Sequence, residues 1–143
     1  MIIPTNAYAT KIQSCISEVC NTVAGAMNFV KQEYGLIDDC MLFKIKVIIN
    51  ELLVNAIVHG NKCQLDRTVG LTLFRADNKY LGIMVEDEGC GFNHEYLTEN
   101  CEIECSCLDE AKETGRGMLI VKHLSEKLSY NEKGNRVTAL VLM

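Results

Sequence analysis

The stretch that most constrains this chain is Glu51 to Gly60, ELLVNAIVHG. It is dominated by apolar residues, yet Glu51 and Asn55 sit four positions apart, one turn of a helix on one face. Polar side chains in so hydrophobic a helix are costly unless they find partners, so the fold has to give these two a site. Ile45, Ile48, Ile49, Leu52, Leu53 and Ala56 recur at three and four and form the core stripe of the same helix. Asp38 or Asp39 can cap it; it is expected to run to about His59, with Gly60-Asn61 ending it. Glu51, Asn55 and His59 step by four with a drift of about 40° per step, so they share the neighbouring face. The stripe can lie on a sheet while that face looks into a pocket.

The rest of the chain supplies the sheet. Ile2 and Ile3 open a short apolar segment, closed by Pro4, that suits an edge strand. A helix is predicted from about Ala7 to Tyr34, with Ile12, Ile16, Val19, Val23, Met27 and Val30 on one face, Gly25 as a weak spot and Gly35 as its stop. Thr68 to Arg75 alternates like a strand, Ala76 to Lys79 reads as a turn, and Tyr80 to about Asp87 alternates again. The pair is expected to form an antiparallel hairpin, with Asp87 in register with Leu81, Ile83 and Val85. Glu88 to Thr114 has no period and reads as a functional lid, its flexible part about 92–114. Gly115-Arg116-Gly117 opens a third helix through about Lys127. Leu128–Tyr130 and Val137–Met143 complete a terminal hairpin. This order predicts an α+β fold, a two-layer α/β sandwich with helices on one face of a mostly antiparallel mixed sheet.

With 143 residues, the chain suits a single domain over 1–143. A net charge of −5 argues against a nucleic-acid binder driven by phosphate contacts. No apolar run reaches membrane-spanning length and no basic-then-apolar leader is visible, so the expected setting is the cytoplasm, away from membranes. Several of the eight cysteines fall inside apolar helical patterns, which favours reduced thiols over a disulfide framework.

Two further stretches carry chemistry. In Asp87-Glu88-Gly89-Cys90-Gly91-Phe92, the paired glycines let the backbone turn sharply and approach a ligand closely. Asp87, at a strand end, can accept a hydrogen bond from an amino group in an apolar slot, and an adenine ring fits. In Thr114-Gly115-Arg116-Gly117-Met118, glycines at a helix start expose N–H groups and the positive end of the dipole, which suits phosphate. Taken singly, the first also fits a bare turn and the second ordinary helix entry.

Together, ELLVNAIVHG, DEGCGF and TGRGM, in this order and separation, resemble the N, G1 and G2 boxes of the histidine-kinase-like (GHKL) ATPase superfamily. The compact length and the form E-L-L-V-N-A-I-V-H-G-N look most like the bacterial anti-sigma factor serine/threonine kinases. The resemblance spans nearly the whole chain; its boxes are specific for the superfamily and less so for the subfamily. It implies that Asn55 ligates Mg²⁺ and that Glu51 is the general base for γ-phosphoryl transfer from ATP. It further implies that Asp87 bonds the adenine amino group, that Gly89 and Gly91 let the backbone pass the ring, and that Thr114, Gly115, Arg116, Gly117 and Met118 close on the phosphates. Thr138 matches a family Thr that assists Asp87. His59 either reaches the phosphates or caps the helix end.

The implied activity is phosphorylation of an anti-anti-sigma factor of the STAS fold by a kinase that also silences an RNA polymerase sigma factor, usually as a homodimer. Two other functions stay open: an ATP-dependent partner-switching module without transfer, and an ATPase or the catalytic half of a split histidine kinase. A bland alternative makes Glu51 and Asn55 a solvated helix face. The lid is acidic, with Lys112 alone against eight carboxylates between Glu88 and Glu113, which suits a basic partner or simply a solvated loop. Its Cys101, Cys105 and Cys107 offer three thiolates, with Cys90 or Cys63 as a further donor, but lack paired C-x-x-C zinc spacing; metal, redox and inert readings all apply.

Overall fold

The structure is a computed structural model that describes residues 7–89 and 117–143. Five strands form one sheet in the order β1-β2-β3-β5-β4: β1 Tyr8–Gln13, β2 Thr68–Ala76, β3 Tyr80–Glu86, β4 Lys127–Tyr130 and β5 Arg136–Leu142. All four pairings are antiparallel, so among the described residues the expected mixed sheet has no parallel pair. Two long helices, α1 (Val19–Tyr34) and α2 (Asp39–Asn55), lie on one face, and residues 117–124 form a further helical stretch, α3. The architecture is the predicted α+β sandwich.

Alternation decides the layers. Leu71 and Leu73 of β2, Leu81, Ile83 and Val85 of β3, and Ala139 and Val141 of β5 are all buried. They stack in register, with Leu71 opposite Val85 and Ile83 opposite both Leu73 and Ala139. Against them pack Val23, Ala26 and Val30 of α1 and the whole predicted stripe of α2, including Ile45, Ile48, Ile49, Leu52 and Leu53. Asp38 is the N-cap of α2, its Oδ1 accepting from Met41 N–H at 2.7 Å. Asp77 and Asn78 take positive φ in the three-residue β2–β3 connection, Asp77 to Lys79, where Lys79 N–H donates to the Ala76 carbonyl at 3.3 Å.

The start of the chain differs from expectation. Ala7 to Tyr34 is not one helix: β1 occupies Tyr8–Gln13, a 3₁₀ turn covers Ile16–Glu18, and α1 begins at Val19. The physical reason lies in the side chains. Tyr8, Thr10 and Ile12 alternate inward with Ala9, Lys11 and Gln13 exposed, and β2 offers an edge that this segment satisfies along its length. Tyr8 packs beside Phe29 with ring centroids 5.7 Å apart. A β-carbon on Gly25 would lie 2.9 Å from the Tyr8 hydroxyl, so that glycine lets α1 settle onto β1. Ile2, Ile3 and Pro4, read as an edge strand, lie outside the described residues. The third helix stops at 124, because β4 begins at Lys127.

Among the described residues no helix is long and apolar enough to cross a membrane. Cys15, Cys20, Cys40 and Cys63 are free thiols.

Candidate active site

The site begins where α2 ends. After Asn55 the helix widens into a five-residue π turn, Ala56–Gly60. Asn61 N–H reaches back to the Ala56 carbonyl at 2.8 Å, and Cys63 N–H to that of Ile57 at 2.8 Å. Such turns are rare and concentrate at functional sites. Here the turn delivers Gly60 onto the end of β3. A β-carbon on Gly60 would stand 2.2 Å from Asp87 Oδ2, and one on Gly89 would stand 2.1 Å from the Gly60 carbonyl oxygen. Only glycine fits at either position, and two stretches far apart in sequence touch through backbone.

Asp87 is clamped. Its N–H donates to the Asn135 carbonyl at 2.9 Å, and its own carbonyl accepts from Asn135 Nδ2 at 2.8 Å. Its Oδ1 accepts from Gly89 N–H at 2.8 Å, while Oδ2 carries no hydrogen bond among the described residues. Burial pushes the carboxyl above its ordinary 3.8; the Gly89 N–H pulls the other way and the neighbouring Glu86 charge adds to the rise. The following residue is held twice. Glu88 N–H donates to Asn61 Oδ1 at 2.7 Å, and its carboxylate accepts from Thr68 N–H and, at 3.0 Å, from Thr68 Oγ1.

The other end of the site is a cleft of about 290 Å³ lined by Glu51, Val54, Asn55, Val58 and His59 from α2 and the π turn, with Gly117 and Ile120 of α3 across from them. Gly117 comes close enough that a β-carbon on it would be 2.7 Å from Glu51 Oε2. Glu51 and Asn55 are half-buried, and among the described residues neither side chain makes a hydrogen bond or ion pair. Both side chains line the cleft instead. A carboxylate and an amide oxygen one turn apart are the hard donors that a magnesium ion with bound phosphates favours, so this donor set fits that metal.

Of the residues singled out from sequence, Glu51, Asn55, His59 and Gly117 therefore share the cleft, and Asp87 and Gly89 adjoin it through Gly60. Met118 is partly buried against the core rather than among the cleft's lining. Gly91, Thr114, Gly115 and Arg116, and the lid cysteines Cys101, Cys105 and Cys107, lie outside the described residues. Thr138 is a correction. It pairs with Met84 and Ser129, one residue out of phase with the buried positions of β3 and β5, so it stands on the sheet face away from the helices and from Asp87. The residue that meets Asp87 is Asn135. Two residues were missed. Asn135 read as the last residue of a turn, and Asn61 as the residue after a helix stop. An Asn in either place is ordinary, so neither carried a signal that sequence alone could separate from turn chemistry.

The histidine kinase-like ATPase domain family matches this chain over residues 8–141. An anti-sigma F factor of Clostridium perfringens (strain SM101 / Type A) is 27% identical to it over 101 residues, which cover 71% of this chain and 70% of that protein.

Proposed function

Since the chain belongs to the histidine kinase-like ATPase family, we propose that it is an anti-sigma factor kinase: it binds ATP with Mg²⁺, phosphorylates a Ser or Thr of a small STAS-type anti-anti-sigma partner, and sequesters a sigma factor, working as a homodimer in the cytoplasm. The observation that carries this reading is the convergence of three sequence-distant stretches. Gly60 abuts Asp87 and Gly89 at one end, and Gly117 abuts Glu51 at the other. The similarity to a protein named anti-sigma F factor supports the choice of partners.

In this reading Asp87 accepts from the adenine amino group through a carboxylate oxygen, and the backbone at Gly89 passes the ring. Asn55 would hold the metal through its amide oxygen, and the metal when bound would neutralise phosphate charge, leaving Glu51 one turn away as the base. The acceptor hydroxyl is deprotonated by Glu51 as its oxygen forms a bond to the γ-phosphorus; the bond from that phosphorus to the β,γ-bridging oxygen breaks, and ADP leaves with the electron pair. His59 faces the same cleft and contributes to phosphate contacts.

The test mixes the purified chain with γ-labelled ATP, Mg²⁺ and its STAS partner. Acid-stable label on the partner is the expected result. Acid-labile, alkali-stable label would assign histidine transfer instead, and nucleotide binding without label on any partner would make the domain a switching module.

A further inference from the structure

Asn61 is fully buried, at 0% exposure. Its carboxamide ties together three segments that are separate in sequence. Nδ2 donates to Ser14 Oγ at 2.6 Å, just past β1, and to the Thr68 carbonyl at 2.8 Å, at the start of β2. Oδ1 accepts from Glu88 N–H at 2.7 Å, in the turn after β3. Ser14 passes the chain on, its Oγ donating to the Arg67 carbonyl at 3.0 Å. Two donors and one acceptor are used, each against a complementary group, so the assignment of the amide oxygen and nitrogen is internally consistent. A carboxylate here would face the Thr68 carbonyl with a negative charge, and an aliphatic side chain would orphan the Glu88 N–H.

The placement of this lock ties it to the site. Glu88 is the single residue between Asp87 and Gly89, and its N–H is the group Asn61 holds. The backbone of Asn61 is itself set by the π turn, through its N–H to the Ala56 carbonyl. One residue thus closes the helix end that carries Glu51 and Asn55 and fixes the turn that carries Asp87.

We propose that Asn61 is a positioning residue for nucleotide binding, acting through Glu88 N–H to hold the Asp87–Gly89 turn in the geometry that receives the base. This rests on the reading of Asp87 as the adenine acceptor. It assigns Asn61 no contact with the nucleotide, and its effect falls on affinity before it falls on turnover.

The experiment compares wild type with Asn61→Ala and Ser14→Ala by two readouts. Amide hydrogen exchange in nucleotide-free protein follows Glu88 and Gly89, with Ile83 and Val85 of β3 as the internal reference. Calorimetric titration with ATP and Mg²⁺ gives affinity, and the transfer assay separates KM for ATP from kcat. In Asn61→Ala, Glu88 and Gly89 should exchange about tenfold or more faster with Ile83 and Val85 unchanged, and ATP affinity should fall about tenfold, the consequence of one lost buried hydrogen bond. The loss should appear in KM for ATP rather than in kcat. Ser14→Ala, which leaves Asn61 in place, should show the same pattern at about a third of the size; if Asn61→Ala fails to fold, it decides the question by the same readouts. Faster exchange at Glu88 with unchanged ATP affinity overturns the proposal. So does acceleration across all of β3, which marks a purely structural role. The parent reading is checked by Asp87→Asn: if that variant binds ATP as wild type does, the adenine assignment fails and the proposal falls with it, whereas weakened Asp87→Asn beside an unaffected Asn61→Ala sinks the proposal alone.

Discussion

At the Asp87 end of the site the protein satisfies its own polar groups: Asn135 grips the Asp87 backbone on both sides, Gly89 N–H occupies Oδ1, and Asn61 and Thr68 hold Glu88. At the Glu51 end, Glu51 and Asn55 face the cleft without a protein hydrogen bond among the described residues, and Gly117 stands close by. The first end is built before any ligand arrives. In the proposed reading, the second keeps its polar groups for the metal and phosphates. A rigid end and an open end suit a ligand whose base is recognised by shape and whose phosphates are moved, since the groups that do chemistry have to change partners during the reaction.

The difference makes the two ends separable by substitution. The largest effect is expected from Glu51→Gln. It keeps the size of the side chain and removes the base, so partner phosphorylation should drop about 10²–10⁴-fold, as measured with labelled ATP. ATP affinity should hold to within about threefold, because the amide still fills the open end. An active Glu51→Gln enzyme would take the base role away from this residue.

Next comes one substitution made at both ends. Gly60→Ala drives a methyl group to 2.2 Å from a clamped carboxylate, so something in the lock has to move. ATP affinity should fall about 10–100-fold and stability by about 1–3 kcal/mol, read by titration and thermal melting. Gly117→Ala sets its methyl 2.7 Å from Oε2 of Glu51, the tip of a side chain that can swing. Its melting temperature should stay near wild type and its loss should appear in transfer rate. Equal losses in affinity from both variants would erase the distinction between the ends.

Asp87→Asn sharpens the same contrast with opposite signs in binding and stability. Affinity for ATP should weaken about 10–100-fold, as for a lost hydrogen bond to a charged group. Yet the folded carboxyl titrates above its ordinary 3.8, mainly because burial disfavours its charge. An acid with a raised folded pKa holds its proton more tightly when folded, so ionising it costs stability at neutral pH. The Asn variant should therefore melt higher than wild type at pH 7. The gap should close as pH falls through the raised pKa, where wild type also becomes neutral.

What could be read from sequence follows the same division. The open end was legible: Glu51 and Asn55 stand out against apolar neighbours, and every residue of the α2 stripe is buried where its spacing put it. The hairpin and the inward register of Asp87 were legible too, because period two leaves no freedom once one face is core. The rigid end was not. Asn61 and Asn135 act by holding backbone groups that come together only after β1, β2, β3 and β5 have paired, and an Asn beside a Gly looks the same in any turn. Thr138 shows how a motif match can miss by phase: the residue type fits, but Val137 and Ala139 on either side claim the face toward the helices. The first helix was overextended because Ile12, Ile16 and Val19 satisfy a helical spacing by composition alone. Tyr8, Thr10 and Ile12 satisfy a strand as well, and the open edge of β2 decides between them.

The smallest effect should come from Glu88, the neighbour of Asp87 whose pKa moves the other way. Thr68 N–H and Oγ1 stabilise its charged form and hold the carboxyl below its ordinary 4.5, although the side chain is exposed. A lowered folded pKa contributes stability that is present above the unfolded value and is lost as pH falls through the folded one. Glu88→Gln keeps an acceptor for Thr68 but no charge, so it should melt slightly below wild type at pH 7, and the two curves should merge as pH drops below 4.5. ATP affinity should hardly change, because Asn61 still grips the Glu88 backbone. Asp87→Asn and Glu88→Gln thus depart from wild type in opposite directions at neutral pH and return to it in acid. If Glu88→Gln instead lost affinity as strongly as Asn61→Ala, the turn would be held by the Thr68 contact, and the lock at the rigid end would belong to the side chain of Glu88 rather than to its N–H.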